Sequence, residues 1–304
     1  MMADSTNPLV SVIIPVLNGE RTINDCLVSL LAMDYPAPLR EILVVDNRST
    51  DRTAQIVKAH PVRYVWEQQR GVATARNTGI EASHGKILAF IDADCVAGTG
   101  WLRELVQGFK NDPQIGAVVG DTVAYPPETQ AQRYMAKRNP FWQMPHVRSP
   151  ELPWFHVAST AFRRGVFSEI GLFDPLLVAC EGVDFSRRFF KNKHFKVAYN
   201  PRAMIFHRHR LTAIDLFRQY QAYGRGMAAL CHKYPEEISW GWRRELRAYA
   251  DLLTSALALG RAAIGSKKAL EPKEASYRYL DLVRKTGARV GFTYGLFRNE
   301  FKRG

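Results

Sequence analysis

Two carboxylates set two residues apart close an apolar run. The stretch Lys86-Ile87-Leu88-Ala89-Phe90-Ile91 reads as a buried strand, and Asp92-Ala93-Asp94 follows it directly. Acids so spaced just past a strand make a small, hard, oxygen-rich site, suited to Mg2+ or Mn2+ carrying a diphosphate. Carboxylates at the end of a core strand are costly to desolvate unless they face the surface, pair, or bind metal. Asp-x-Asp pairs also occur in ordinary loops, so the surrounding elements must decide.

The chain upstream supplies a scaffold. Leu9 to Pro15 reads as an apolar strand ended by Pro15, and Glu41 to Asp46 as a second strand. Between them, Thr22 to Met33 carries Ile23, Leu27, Leu30 and Leu31 at helical spacing. Arg52 to Ala59 has helical character, with Ser49 or Thr50 as its N-cap. A third strand at Val62 to Trp66, a third helix at Val72 to Ala82 and the strand Lys86 to Ile91 follow. This alternation predicts an α/β fold with a mainly parallel central sheet and helices on both faces. Ligands bind such sheets beyond the carboxyl ends of the strands. Pro15-Val16-Leu17-Asn18, Asp46 and Asp92 all fall there, so three strand ends converge on one crevice.

Four segments, in this order and spacing, resemble the family 2 glycosyltransferases, inverting enzymes with the GT-A fold. They are Ser11 to Glu20 (SVIIPVLNGE), Val44 to Asp51 (VVDNRSTD), Gly71 to Ile80 (GVATARNTGI) and Phe90 to Asp94 (FIDAD), and the resemblance covers about residues 8 to 210. It implies a nucleotide-diphosphate sugar donor, a divalent metal (Mn2+ or Mg2+), and transfer to an acceptor hydroxyl. Backbone groups around Pro15 and Leu17, with Glu20 and Asp46, would hold the base and ribose, since a carboxylate accepts from a base N–H or from ribose hydroxyls. Arg76 would face the diphosphate, whose oxygens suit a guanidinium fork, and Asn77 would support that loop. Asp92 would contact the ribose or donor sugar, and Asp94 would hold the metal. Without the resemblance, Asp46 reads more readily as a turn or capping acid, and Arg76 equally as a solvated helix residue.

The second half would build the acceptor side. The run Trp154 to Arg164 resembles the family's strand-to-helix step beside the donor sugar. Trp154 and His156 would line the acceptor pocket there, an aromatic face packing on sugar C–H groups; a core position for Trp154 is the other reading. Gly171 to Asp174 resembles the loop before the catalytic acids. At this point the chain departs from the family, which usually shows Glu-Asp-x-Asp with the acid after Glu as the base. Here the run is Cys180-Glu181-Gly182-Val183-Asp184, and Gly182 holds that position. An inverting transfer needs a carboxylate to take the acceptor proton, and glycine has none. Glu181 and Asp184 lie three apart and share one helix face, so either can take the role, Glu181 ranking first. Asp184 reads equally as a partner for Arg187 or Arg188. A donor-binding protein with poor turnover, or an acceptor that arrives ionised, such as a phosphate, are the other solutions. Phe195 to Tyr199 and Ala203 to Phe206 read as two short strands leading to His207-Arg208-His209-Arg210. Some metal-dependent GT-A enzymes add a late histidine as a ligand, and a neutral imidazole suits Mn2+. His207, ending a strand, is the better placed; His209 reads as part of a solvated basic turn.

The net charge is +13, unevenly spread: residues 1–201 carry 22 basic and 20 acidic side chains, residues 202–304 carry 20 and 9. We expect one GT-A catalytic domain over residues 1–210 and a basic helical C-terminal extension over 211–304. Its expected helices are Ala213 to Lys233, Trp240 to Ala262 and Tyr277 to Arg289, with a linker over Gly260 to Glu274. Trp240 and Trp242 sit next to Arg243, Arg244 and Arg247, the combination that suits a helix lying on an anionic membrane surface. A packed appendage with a solvated basic face is the alternative. Nucleic acid is ranked low as a partner, because no recognition motif accompanies the charge. The apolar run Ala248 to Gly260 contains Asp251 and falls short of the ~20 residues that cross a bilayer. Met1 to Pro8 is polar, without the apolar core of a signal peptide, so the expected location is the cytoplasm or the inner membrane face. Cys26, Cys95, Cys180 and Cys231 show no zinc spacing and read as reduced structural thiols.

The expected function is a metal-dependent inverting glycosyltransferase that moves a sugar to a hydroxyl or lipid-linked acceptor in cell-envelope or polysaccharide glycan synthesis. A non-catalytic nucleotide-sugar-binding module of the same fold is the alternative. A dinucleotide oxidoreductase would need Gly-x-Gly-x-x-Gly after the first strand, where Pro15-Val16-Leu17-Asn18-Gly19 stands. A nucleotidyltransferase would need a glycine-rich loop and a lysine there, which Arg21 alone does not replace.

Overall fold

The computed structural model describes residues 7–110, 112–148, 153–238, 242–264 and 272–297. They form two units. The first comprises Met1–Tyr125, Phe141–Pro175 and Glu181–Arg208; the second comprises Pro126–Pro140, Leu176–Cys180 and His209–Gly304. The division is therefore not one cut near residue 210, since two upstream segments belong with the C-terminal helices.

In the first unit, β1 (Val10–Val16), α1 (Ile23–Leu31), β2 (Arg40–Asp46), α2 (Thr53–Lys58), β3 (Arg63–Trp66), α3 (Val72–Ala82) and β4 (Ile87–Phe90) alternate as their hydrophobic periods require. β1 is buried along its whole length, which a Val/Ile run without polar alternation demands. Val12 and Ile14 enter the core on one face of the sheet, with Leu27 and Trp101, while Ile13 enters the phenylalanine-rich core on the other. Pro15 does not end β1. The strand continues to Val16, whose carbonyl accepts from the Asn47 N–H at 2.8 Å.

The unit continues with β5 (Cys95–Ala97), α4 (Trp101–Gln107) and β6 (Ile115–Ala124). After α5 (Gln130–Arg138), which lies in the second unit, come α6 (Met144–Val147), β7 (Thr160–Arg163), α7 (Arg164–Ile170), α8 (Glu181–Lys191) and β8 (Lys196–His207). The eight-stranded sheet has the order β3-β2-β1-β4-β7-β6-β8-β5. Four of its seven neighbouring pairs are parallel: β3-β2-β1-β4 run parallel throughout, and beyond β4 the sheet is mixed, with β6–β8 parallel and the other pairs antiparallel. β8 is one strand rather than two short ones; irregular register against β6 absorbs the polar break at Asn200-Pro201-Arg202. Where β4, β6 and β8 meet, Ser159 (φ 60°) is fully buried. Its N–H donates to the Phe90 carbonyl at 3.0 Å, and its carbonyl accepts from Gly120 at 2.7 Å. Its hydroxyl donates to Ala203 at 3.1 Å and accepts from the Trp101 indole at 3.0 Å. Every polar group of a strained, buried residue is thus satisfied.

The second unit is helical: α5, α9 (Ala213–Lys233), α10 (Trp242–Ile264) and α11 (Pro272–Phe297). Thr129 and Gln132 form a capping box at the start of α5, and Thr212 caps α9. α9 and α11 approach closely because Gly287, Gly291 and Gly295 recur every fourth residue on α11 and face α9. A Cβ on Gly287 or Gly291 would run into the carbonyl oxygens of Phe217 or Gln221, and one on Gly224 into that of Ala288. Burial would raise the Asp281 carboxyl, but hydrogen bonds from Tyr134, Arg284 and Lys285 outweigh it and hold the carboxyl well below its ordinary value. Trp240 and residues 265–271 of the expected linker lie outside the described residues, as do the side chains of Trp242, Arg243 and Arg244; the ends of that linker segment are helical. Among the described residues, no helix is long and apolar enough to cross a membrane.

The glycine contact yields a prediction. Gly291→Ala must push α9 and α11 apart, and overpacking of this kind costs about 1–3 kcal/mol. Denaturant unfolding should show that loss, while Gly260→Ala, with open space around its Cα, should cause none.

Candidate donor and metal site

The loops after β1 and β2 are sewn together by side chains acting on backbone. Asn18 (φ 54°) donates its N–H to Ser49 Oγ at 2.9 Å and accepts from the Thr50 N–H at 2.8 Å. Gly19 N–H donates to Thr53 Oγ1 at 2.8 Å, and Glu20 N–H to Asp51 Oδ2 at 3.1 Å. Glu20 accepts from both the N–H and the side chain of Arg52, whereas Leu17 is exposed and Pro15 buried. Ser49 and Thr50 are therefore occupied with Asn18, and the residue before α2 is Arg52 with no side-chain cap, which corrects the N-cap expectation.

Asp46 is fully buried at the end of β2. One oxygen accepts from the Ser49 N–H at 2.8 Å, the other from the Tyr64 hydroxyl at 2.9 Å. Burial and that hydrogen bond push the Tyr64 hydroxyl up to about 12, so it stays a donor. The buried Asn47 carboxamide donates to the Gln69 carbonyl at 2.6 Å and accepts from the Gly71 N–H at 2.7 Å, fixing the turn into α3. Gly71 has φ 145°, which a residue with a side chain rarely adopts. Sequence reasoning gave Tyr64 and Asn47 no role. An amide directly after the strand-end acid was the available signal for Asn47, and β3 offered none for Tyr64.

Arg76, expected against the diphosphate, is buried, with its guanidinium between two acids. Nη2 donates to Asp92 Oδ1 at 3.0 Å and Nη1 to Glu181 Oε1, with the Phe173 ring 5.6 Å away. Next to it, Asn77 pairs both ways with the Phe173 backbone, at 2.8 and 3.0 Å, and so holds the loop before α8. Arg76 thus joins the end of β4 to the first turn of α8.

At that first turn the two candidate bases part company. Glu181 is nearly buried beside Arg76. Asp184 is fully buried and paired with Arg188 at 2.9 Å, and Arg188 also donates to the carbonyls of Ile170 and Leu172. With no surface of its own, Asp184 cannot meet an acceptor, which removes it as a candidate base. A Cβ on Gly182 would lie 3.0 Å from Val157 Cγ2, so the position tolerates a side chain only if Val157 yields slightly.

On the other flank, Asp94 Oδ1 lies 3.5 Å from His207 Nε2, and Cys95 Sγ 3.7 Å from the same oxygen. The three ligand atoms lie within 4.8 Å of one another. Oxygen and imidazole nitrogen suit Mn2+ or Mg2+ better than sulfur does. Burial pushes the Cys95 thiol well above its ordinary value, and Asp94 and Asp92 add to the shift. The donor set therefore fits a hard divalent ion, which Asp94 and His207 would hold. The Phe141 ring lies against both imidazoles of His207 (4.5 Å between centroids) and His156 (5.0 Å), and Trp154 lies against those of His156 (4.5 Å) and His146 (4.2 Å). The two residues expected at the acceptor pocket thus belong to an aromatic row that ends on the metal-site histidine. No pattern in the sequence announced Phe141. His209 is buried rather than part of a solvated turn.

A curled α/β sheet with acids at the end of β4 and a late histidine on β8 defines the GT-A class. The family model for Glycosyl transferase family 2 matches residues 11–171, and the chain belongs to that family. Glycosyltransferase AglE of Haloferax volcanii is 36% identical over 197 residues, 60% of this chain and 62% of that protein. The probable glycosyltransferase YdaM of Bacillus subtilis is 28% identical over 234 residues, 72% of this chain and 55% of that protein. In neither case does the chain span two thirds of the relative's length. The fold is similar to that of the mannosyltransferase PcManGT of Pyrobaculum calidifontis in complex with GDP-Man and Mn2+, with TM-score 0.59, 22% identity, and coverage of 96% of this chain and 88% of that one. It is also similar to glucosyl-3-phosphoglycerate synthase of Mycobacterium tuberculosis in complex with Mn2+, UDP and glucosyl-3-phosphoglycerate, with TM-score 0.54, 20% identity, and coverage of 74% and 79%.

The Asp184–Arg188 pair makes a measurable distinction. Asp184→Asn leaves a largely buried cation short of its acid, which should lower unfolding free energy by about 1–3 kcal/mol. Donor binding, read at a temperature well below the variant's transition, should stay within about twofold, roughly 0.4 kcal/mol.

Proposed function

We propose that this protein transfers a sugar, with inversion, from a nucleoside-diphosphate donor to a hydroxyl or lipid-linked acceptor in envelope or polysaccharide glycan synthesis. The observation that carries the reading is the Arg76 bridge, which sets Asp92 and Glu181 on one guanidinium while Asp94, two residues past Asp92, stands with His207. In this reading the donor acid, the metal ligands and the candidate base come from the chain after β4, the end of β8 and the first turn of α8. The neighbours bound to GDP-Man with Mn2+ and to UDP with Mn2+ support a nucleotide-sugar donor and a divalent ion.

In this reading Leu17, Glu20 and Asp46 frame the nucleoside, with the backbone at Pro15 setting the loop. Glu20 and Asp46 do so chiefly by holding the loops after β1 and β2, since their oxygens already serve Arg52, Ser49 and Tyr64. Asp92, with Oδ1 on Arg76, offers its other oxygen to the ribose or donor sugar. Asp94 and His207 would hold Mn2+ or Mg2+, which when bound would neutralise charge on the departing diphosphate. The acceptor oxygen attacks the anomeric carbon, the bond to the diphosphate breaks, and the acceptor proton passes to Glu181. Trp154 and His156 would pack on the acceptor. The anionic membrane surface expected from the basic C-terminal region belongs to this proposal, as the place where a lipid-linked acceptor would be met.

Gly182 favours a second reading of one step. With no acid there and one oxygen of Glu181 already on Arg76, an acceptor that arrives as an anion, such as a phosphate, needs no base at all.

Two variants test the reading. In thermal shift against GDP and UDP with Mn2+, Asp94→Asn should lose the metal-dependent stabilisation that binding to the native state confers. Full retention at the same Mn2+ concentration would remove Asp94 from the metal site. Glu181→Gln should cut turnover by roughly 10²–10⁴-fold, the usual worth of a positioned base, with little change in donor affinity. Unchanged turnover would assign the reaction to an ionised acceptor.

A further inference from the structure

Helix α10 keeps a row of leucines on its outer side. Toward its neighbour in the second unit it makes polar contacts: Glu245 pairs with Arg289 at 3.0 Å, the Tyr249 hydroxyl bonds Thr293 at 2.7 Å, and Lys285 reaches Asp251 at 3.0 Å and Ser255 at 2.8 Å. Leu252 and Leu259 are half-buried, whereas Leu246, Leu253 and Leu257 are 59%, 61% and 52% exposed, and with Ala250 they recur at three- and four-residue intervals along one stripe. A helix packed only on its protein normally turns this stripe inward, because each exposed leucine forgoes the gain of burial.

We infer that this stripe of α10 docks on an anionic lipid surface, the leucines entering the headgroup boundary with the helix axis along the membrane plane. The inference rests on the membrane-surface part of the proposal above and not on the donor site. Charge selects this occupant. Residues 202–304 carry 20 basic against 9 acidic side chains, and the exposed Arg247 borders the stripe, about 100° around the helix from Leu246. A second copy meeting the same face about a two-fold axis would bring together two segments of like net charge. An anionic leaflet instead complements the charge, and arginine stems bury alongside leucine while their heads stay with the phosphates. The stripe is also too short and too one-sided to span a bilayer, consistent with a helix that lies in the interface.

The test uses the full chain and vesicles of phosphatidylcholine with or without phosphatidylglycerol. The wild type should float with the anionic vesicles at low salt and release as salt rises, because exposed charges are screened over about 8–10 Å at physiological ionic strength. A variant with Leu246→Ser, Leu253→Ser and Leu257→Ser should keep its melting temperature and its response to GDP or UDP with Mn2+, yet lose vesicle affinity by at least about tenfold. In a Leu253→Trp variant, the change in indole fluorescence with brominated lipid should report shallow insertion; quenching compared with the parent isolates the new indole from the native ones. The inference is overturned if the serine variant floats as the wild type does, or if the wild type does not distinguish the two vesicle types. It is also overturned if the wild type ignores vesicles but is a dimer by light scattering that the serine variant dissolves, since the stripe would then be an interface between copies. Loss of nucleotide response with vesicle binding intact would count against the donor site alone.

Discussion

A buried guanidinium needs anions within reach, and Arg76 finds two of them 16 and 105 residues further along the chain. The constraint is strict, because an arginine does not discharge itself by losing a proton and an unpaired buried charge costs several kcal/mol. Asp92 must therefore stand at the end of β4, and Glu181 must open α8 on the same side. Asn77, one residue on, grips the Phe173 backbone and sets the approach to α8. The Arg188–Asp184 pair ties the same helix back to the carbonyls at 170 and 172. Much of the candidate site is thus held by ion pairs and backbone hydrogen bonds that place acids rather than by the acids' own preferences.

The same economy appears at the loops after β1 and β2. Their contacts are nearly all from side-chain oxygens to backbone N–H groups, the kind of bond that replaces secondary structure where the chain must leave it. Asn18 accepts the left-handed conformation its loop requires, and at the entry to α3 Gly71 takes a positive φ while its N–H donates to Asn47. Residues that look like ligands from their type, Glu20 and Asp46 among them, spend oxygens on this frame. A carboxylate committed in this way is rigid, and rigidity at the strand ends is what a bound nucleotide would use.

The departure at Gly182 changes the demands on its neighbours. In the sequence, Glu181 and Asp184 were substitutes on one helix face, Glu181 ranking first. Burial separates them: Asp184 is fully buried with Arg188, and Glu181 pairs with Arg76 beside Asp92. The second unit follows a different logic, with backbone-to-backbone approach through glycines between α9 and α11, and polar contacts tying α10 to α11. What α10 leaves uncovered is a consequence of those two choices.

Residue type and spacing by themselves determined a good part of this protein. Hydrophobic period located β1, β2, α3, β4 and α9 to within a residue or two, because a strand buried on both faces and an amphipathic helix each leave an unambiguous local pattern. The Asp92-Ala93-Asp94 step and its upstream partners were legible for the same reason, being short-range motifs at strand ends. Pairings across long separations were not legible. That Arg76 faces acids rather than phosphate, that Phe141 lies on His207, that Tyr64 serves Asp46 and that residues 126–140 join the C-terminal helices all depend on which distant segments the fold makes neighbours. The outward leucines of α10 show the same limit. Their helical spacing was plain in the sequence, but periodicity says only that a helix has two faces, and it took the contacts of Glu245, Tyr249 and Asp251 with α11 to decide which face the protein keeps.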